Sequence, residues 1–239
     1  MNTLDTIKQR CSSRSFTNDT PSADLLRQLC AFSPYLRVID PEALGNARIG
    51  TYGVITGRPA YVAAVGNPLQ AGIDGEKLVI ELTRRGLATC WLGATFSRST
   101  ANKALQLPDD KDIIAVIAIG SSTKLRRPVD WIMHVGARGG QRKPLTDLCI
   151  EGQPSAQIAD GVEAMRLAPS AYNRQPWRFA FLADGSIEVH GIAGDYLMLD
   201  CGIAIAHFLL LHPEYEPTAA PSPRPGLSPI ATLKQQANS

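Results

Sequence analysis

Residues 113 to 119 read Ile-Ile-Ala-Val-Ile-Ala-Ile, an unbroken apolar and largely β-branched run bounded by Asp112 and Gly120. A strand with one wet face alternates apolar and polar residues, whereas a run without a polar member has both faces covered. This run predicts a central strand with structure packed over both sides. That requires a layered fold, and 239 residues suffice for one α/β domain or for two smaller halves, each with a core.

Elements around this strand follow from periodicity and punctuation. The start reads as a helix with Thr3 as N-cap and Leu4, Ile7 and Cys11 on one face, and Ser22 caps a second with Leu25, Leu26 and Leu29 inward. Prolines 34 and 41 and glycines 45, 50, 53 and 57 make residues 32–58 a long loop with a short strand at 52–55. Ala60 to Val65 is a strand, Gly75 to Gly86 a helix with Leu78, Val79 and Leu82 inward, and Leu87 to Leu92 a short strand. Ser97 caps a helix through Leu105. Ser155 caps a helix carrying Ile158, Val162 and Met165 that ends before Pro169, and 177–182 with 187–190 flank a hairpin turn at Ala183 to Ser186. Residues 197–211 read as a buried helix.

This gives a first half at 1–120, a basic, irregular crossover at 121–153 and a second half at 154–212. The similar order of elements is consistent with duplication, although direct repetition of sequence is too faint to count. Six prolines from Pro213 to Pro229 predict an extended or disordered tail over 213–239.

Composition narrows the class of function. Charged residues are 19% of the chain and the net charge is +2, which gives no footprint for nucleic acid or a membrane surface and favours small-molecule chemistry. The five cysteines (11, 30, 90, 149 and 201) are odd in number and lack a Cys-x-x-Cys pair, arguing against a disulfide framework or zinc and for a reducing cytoplasm. The first ten residues lack the apolar core of a secretory signal, and no apolar run approaches the roughly 20 residues of a membrane span.

Two polar clusters carry the chemistry. Arg10-Cys11-Ser12-Ser13-Arg14 offers two guanidiniums and two hydroxyls at a helix end, a set suited to a phosphate, whose oxygens Arg grips in a fixed fork. Ala168-Pro169-Ser170-Ala171-Tyr172-Asn173-Arg174-Gln175-Pro176-Trp177 offers two planar amides in a proline-stiffened loop, matching the mixed donor and acceptor edge of a flavin pyrimidine. Each has a plainer reading: a solvated basic turn for the first, and for the second a helix-ending turn whose amides cap local backbone.

The stretches RCSSRSF, GLATCWLGATF, RKPL and APSAYNRQPWRF resemble the FMN-dependent nitroreductase family over about residues 3 to 211. In the common order the Asn-x-Gln-Pro-Trp segment follows soon after Arg-x-Ser-x-Arg, and Gly-Leu-x-Thr-Cys comes late. Here the Gly-Leu stretch comes before Asn173, which resembles the branch with two halves fused in one chain. The resemblance implies an α+β, nitroreductase-like fold of two related half-domains, each with helices around a mixed or antiparallel sheet, and a flavin site between them. It places Arg10, Cys11, Ser12 and Arg14 at the FMN phosphate, with Arg142 as a further contact for which Arg138 and Lys143 compete. Leu92 and Gly93 would lie beside the flavin ring, and Pro169, Ser170, Asn173 and Gln175 would contact it. Trp177 goes to the core.

The function implied is hydride transfer from NAD(P)H to FMN and on to a small aromatic acceptor, a nitroaromatic or quinone, with no side-chain acid or base and no metal required. The chain would act as an internal pseudo-dimer, a monomer free to associate further, with one flavin site. Two alternatives stand beside it: a flavin-binding protein of this fold without turnover, and a cysteine hydrolase pairing Cys90 or Cys149 with His134 or His207. A hydrogen bond between Asp200 and His207 and a packing role for His207 are also expected.

Overall fold

The computed structural model describes residues 2–45, 47–50, 53–107, 113–122 and 141–236. Strands β1 (Leu36–Ile39), β2 (Ala60–Val65), β3 (Ala88–Leu92) and β4 (Ile113–Gly120) form an antiparallel sheet of order β1-β2-β4-β3. The apolar run is thus an interior strand. Its two faces enter different cores: Ile117 and Ile119 pack with Leu26, Leu78 and Leu82, while Val116 and Ala118 pack with Phe16, Ile49 and Phe96.

The helices that cover this sheet begin on capping side chains. Helix α1 (Thr3–Gln9) is capped by Asn2, one residue before the expected Thr3, and Cys11 lies outside it and exposed. Ser22 caps α2 (Ala23–Cys30) as expected, and Ser97 caps α5 (Arg98–Leu105), each hydroxyl accepting a backbone N–H. Residues 32–58 are more ordered than the loop expected, holding β1 and the short helix α3 (Pro41–Leu44). No strand runs over 53–55; an isolated bridge joins Thr56 to Ser15. Asn67 caps α4 (Pro68–Arg84), with Pro68 in its first turn, so this helix starts seven residues before the expected Gly75.

The second half repeats the pattern. After the short α6 (Leu145–Leu148) and β5 (Cys149–Glu151) come α7 (Ala159–Leu167), β6 (Trp177–Phe181), β7 (Ile187–Gly191) and α8 (Leu197–Leu209). Strands β8 (Tyr215–Thr218) and β9 (Ser228–Gln235) finish a sheet of order β5-β6-β7-β9-β8. Apart from β5, which pairs in parallel with β6, its order and antiparallel pairing are those of the first sheet. The expected disordered tail is therefore corrected: 215–218 and 228–235 are strands, and β9 lies inside the sheet. Pro217 sits in an edge strand and Pro229 near a strand start, positions where a missing N–H is tolerated.

Helices α4 and α8 pack on each other where the halves meet. A Cβ on Gly72 would lie 2.4 Å from the Leu199 carbonyl oxygen, and one on Gly202 would lie 2.2 Å from that of Leu69. Both helices carry Leu-x-x-Gly-Ile at this crossing, Leu69 to Ile73 and Leu199 to Ile203, so the contact is reciprocal. No helix among the described residues is long and apolar enough to cross a membrane.

Candidate functional site

Arg10 caps the C-terminus of α1, and its side chain, only 7% exposed, points into the seam between the halves. Its Nε is buried without a hydrogen-bond partner; the nearest counter-charge is Glu76 Oε1 on α4, 3.8 Å away. A buried N–H without a hydrogen bond is costly, and this one leaves the guanidinium with bonding capacity that an anion would use.

Arg142 lies close by. Its Nε donates to the Leu167 carbonyl at 3.2 Å and one Nη donates to Asn173 Oδ1 at 3.0 Å. Burial, reinforced by the positive charges of Arg10 and Arg166, pushes its pKa down to about 10. The structure therefore joins the first-half Arg10 to the second-half loop that carries Asn173.

That loop is unusual in its backbone. Tyr172, Asn173 and Gln175 have φ of 52°, 53° and 49°, three non-glycine residues in the left-handed region within four positions. Such conformations persist only where surroundings impose them, and they concentrate at binding sites. Here the Ser170 hydroxyl accepts the Gln175 N–H at 2.9 Å, while the amide of Gln175 accepts from the Lys143 N–H at 2.8 Å and donates to the Gln141 carbonyl at 3.2 Å. Asn173 Nδ2 also donates to the Gln141 carbonyl, at 2.9 Å. Ser170, Asn173, Gln175 and Arg142 thus come together around residues 141–143. Their amides are turned to protein backbone, which a flavin edge would have to replace.

The remaining expected site residues form the other wall. Ser12 bridges Thr89, and the Ser13 N–H donates to the Thr89 carbonyl at 2.9 Å, which lays the first polar cluster along β3. Leu92 ends that strand, buried, and a Cβ on Gly93 would fall 2.8 Å from the Tyr196 ring of the second half. Cys11 is exposed, and the Arg14 carbonyl accepts the Thr56 N–H. Pro169 is half-buried at the head of the strained loop. Arg138 and His134 lie outside the described residues, and Lys143 spends its ammonium on the Arg174 carbonyl.

Beside this wall is a small cleft lined by Ala171, Arg174, Ile192, Tyr196 and Asp200. Asp200, in the first turn of α8, accepts the Ala171 N–H at 3.0 Å, and burial pushes its carboxyl up to about 7 against the pull of that N–H and of Arg174. The expected bond between Asp200 and His207 does not form. Asp200 faces the 171 loop, whereas His207 Nε2 lies 2.9 Å from Glu76 Oε1 and its Nδ1 2.8 Å from the Ala164 carbonyl. With both ring nitrogens so engaged, His207 is not placed to activate a thiol. The Cys149 thiol points instead at the carbonyls of Glu151 and Gly152. Trp177 is fully buried core.

Sequence reading missed Glu76 and Tyr196, and it gave Asp200 a partner, His207, that the structure replaces with the Ala171 N–H. Among the described residues, no group of three or more His, Cys, Asp or Glu is placed to hold a metal ion.

The family model described as "Putative TM nitroreductase" matches residues 2–211. Among solved structures, a putative nitroreductase from Thermotoga maritima aligns with 98% of this chain and 92% of its own at 21% identity and a TM-score of 0.61. A nitroreductase family protein from Clostridium novyi aligns with 52% of this chain and 87% of its own at 20% identity and a TM-score of 0.42. An FMN-dependent nitroreductase from Clostridium difficile does so with 51% and 88% at 16% identity and a TM-score of 0.40.

Proposed function

Because the chain belongs to the "Putative TM nitroreductase" family, we propose that it is an FMN-dependent NAD(P)H oxidoreductase that reduces a small nitroaromatic or quinone. The observation that carries this reading is Arg10, a guanidinium with a buried Nε that makes no hydrogen bond, set beside the half-buried Arg142. Two guanidiniums side by side in a protein seam fit a doubly charged phosphate monoester.

The residues present fit FMN. Arg10 and Arg142 would take the phosphate, with Ser12, Cys11 and Arg14 on the same turn. Leu92 and Gly93 would border the ring, and Pro169, Ser170, Asn173 and Gln175 would hold its pyrimidine edge once the Gln141 carbonyl gives way. When bound, the flavin accepts a hydride from the nicotinamide and passes the electrons to the acceptor; the protein holds, orients and shields it. The first wall comes from the first half and the strained loop from the second, which supports an internal pseudo-dimer with a single site.

The test begins with the visible spectrum of the purified protein and the flavin released on denaturation. About one FMN per chain, together with NADH or NADPH oxidation dependent on an added nitroaromatic or quinone, is the expected result. Failure to take up FMN would overturn the reading, and FMN binding without nicotinamide oxidation would leave a flavin-binding protein of the same fold. Arg10→Ala should weaken FMN binding by about 1.5 to 3 kcal/mol, as for loss of a charged hydrogen-bond donor, and leave riboflavin almost untouched.

A further inference from the structure

Behind Arg10 lies a wholly buried polar group that flavin chemistry leaves without a task. The Glu76 carboxylate on α4 has no exposed surface. Its Oε2 accepts the Trp91 Nε1–H of β3 at 2.7 Å, and its Oε1 faces both His207 Nε2 of α8 at 2.9 Å and Arg10 Nε at 3.8 Å.

The hydrogen bonds of His207 fix the charge of this group. A carbonyl oxygen only accepts, so the Ala164 carbonyl, 2.8 Å from Nδ1, requires the proton to be on that nitrogen. A neutral imidazole would then turn the bare lone pair of Nε2 toward a carboxylate oxygen 2.9 Å away, a repulsive contact in a dry interior. One further proton must lie between Nε2 and Oε1. Whichever atom carries it, the Glu76 and His207 pair is neutral as a unit.

This removes the apparent counter-ion of Arg10. Glu76 lies within ion-pair distance, yet its charge is already matched by the proton it shares. Arg10 keeps a full positive charge while its Nε edge rests against a fixed, polar surface. The partners that set this surface come from both halves: Trp91 and Glu76 from the first, His207 and the Ala164 carbonyl from the second.

We propose that Glu76 and His207 are positioning residues, a neutral proton-sharing anchor that fixes the Arg10 guanidinium for a phosphate without cancelling its charge. The inference rests on the reading of Arg10 as a phosphate-binding residue. Its consequence is that a first-half phosphate contact depends on a second-half histidine.

The experiment compares FMN with riboflavin, titrated by quenching of flavin fluorescence into flavin-stripped wild-type, Glu76→Gln, Glu76→Ala and His207→Leu proteins. The readout is the ratio of the two affinities, which a general loss of structure would not move selectively. A glutamine amide is neutral and can accept from Trp91 while donating to His207 Nε2, so Glu76→Gln should keep the wild-type preference for FMN within about twofold. Glu76→Ala and His207→Leu, which remove the anchor, should cut that preference by about tenfold with riboflavin affinity unchanged.

A roughly tenfold rise in FMN preference in Glu76→Gln would overturn the proposal, because it would show Glu76 to be a true counter-charge competing with phosphate. An unchanged ratio in folded Glu76→Ala and His207→Leu would overturn it by leaving the cluster a purely structural role. Should those two variants fail to fold, Glu76→Gln alone decides. A wild-type protein that binds riboflavin as tightly as FMN would instead defeat the phosphate reading of Arg10.

Discussion

Asp200 makes stability depend on pH in a direction opposite to that of most carboxylates, and replacing it with asparagine isolates the effect. The residue is 4% exposed, and burial raises its carboxyl from 3.8 to about 7 despite the Ala171 N–H and the nearby Arg174. A carboxyl with a raised folded-state pKa binds its proton more tightly in the native state. Its contribution to stability is therefore fully present below the unfolded value, near pH 4, and is lost as pH rises through about 7. At about 1.4 kcal/mol per tenfold change in proton affinity, the loss between pH 5 and pH 8 comes to about 2.5 kcal/mol. Asparagine keeps the carbonyl that accepts from Ala171 and resembles the neutral acid, but it cannot ionise. Urea unfolding should find the variant more stable than wild type by about 1.5 kcal/mol at pH 5, where the unfolded carboxyl is already ionised, and by about 4 kcal/mol at pH 8, a difference that widens by about 2.5 kcal/mol. All other titrating groups are shared, so they cancel in the difference. A difference between the two proteins that stays constant from pH 5 to pH 8 would refute the reasoning.

Gly202→Ala should destabilise the fold by about 1 to 3 kcal/mol, read as a lowered urea midpoint, because its Cβ would sit 2.2 Å from the Leu69 carbonyl oxygen and neither helix backbone can easily withdraw. Gly185→Ala supplies a contrast: its φ of 82° strains any side chain, but nothing lies within 4 Å, so its cost should be backbone strain alone. A chain ending at His212 lacks the interior strand β9 and the edge strand β8, and should fail to give the cooperative urea-unfolding transition of the full chain. A fluorescence titration should saturate at one FMN per chain, since among the described residues the Arg10 to Arg14 turn and the strained amide loop each occur once; two equivalent sites would contradict the pseudo-dimer reading.

Elements whose evidence is local were legible in the sequence. Strand β4 announced itself by its β-branched run, α2 and α5 by Ser22 and Ser97, and the β6 and β7 hairpin by Asp184 and Gly185 between apolar runs. The misses share a physical cause. The helix was read as starting at Gly75, but it runs through Gly72 and Gly75, which are small because α8 at Leu199 and Gly202 and the Trp91 ring press against them. Strand β1 is only four residues long at a sheet edge, between Pro34 and Pro41, and most of its stabilisation comes from β2, which no local pattern displays. The prolines of 213–229 masked β8 and β9 because a proline's meaning depends on whether its N–H side faces a neighbour, and that is a property of the sheet.

The candidate site divides along the same line. Arg10, Asn173 and Gln175 were legible as candidates because an anion and a mixed donor and acceptor edge call for such side chains, whereas Arg142 and Ser170 came from the family resemblance; the structure brings Arg142, Ser170, Asn173 and Gln175 together. What sets Arg10 apart from a solvated basic residue is its burial beside Glu76, which Trp91 and His207 from two further elements hold in place. Those residues look like ordinary interior members of a helix or strand, and only the crossing of α4 with α8 makes them a unit. That crossing needs a glycine on each helix: with larger residues at 72 and 202 the helices would separate and the contact between His207 and Glu76 would open. The reciprocal Leu-x-x-Gly-Ile pattern at the seam is therefore tied to ligand chemistry as well as packing, because close approach of the two helices is what closes the dry pocket around a neutral pair and leaves Arg10 charged.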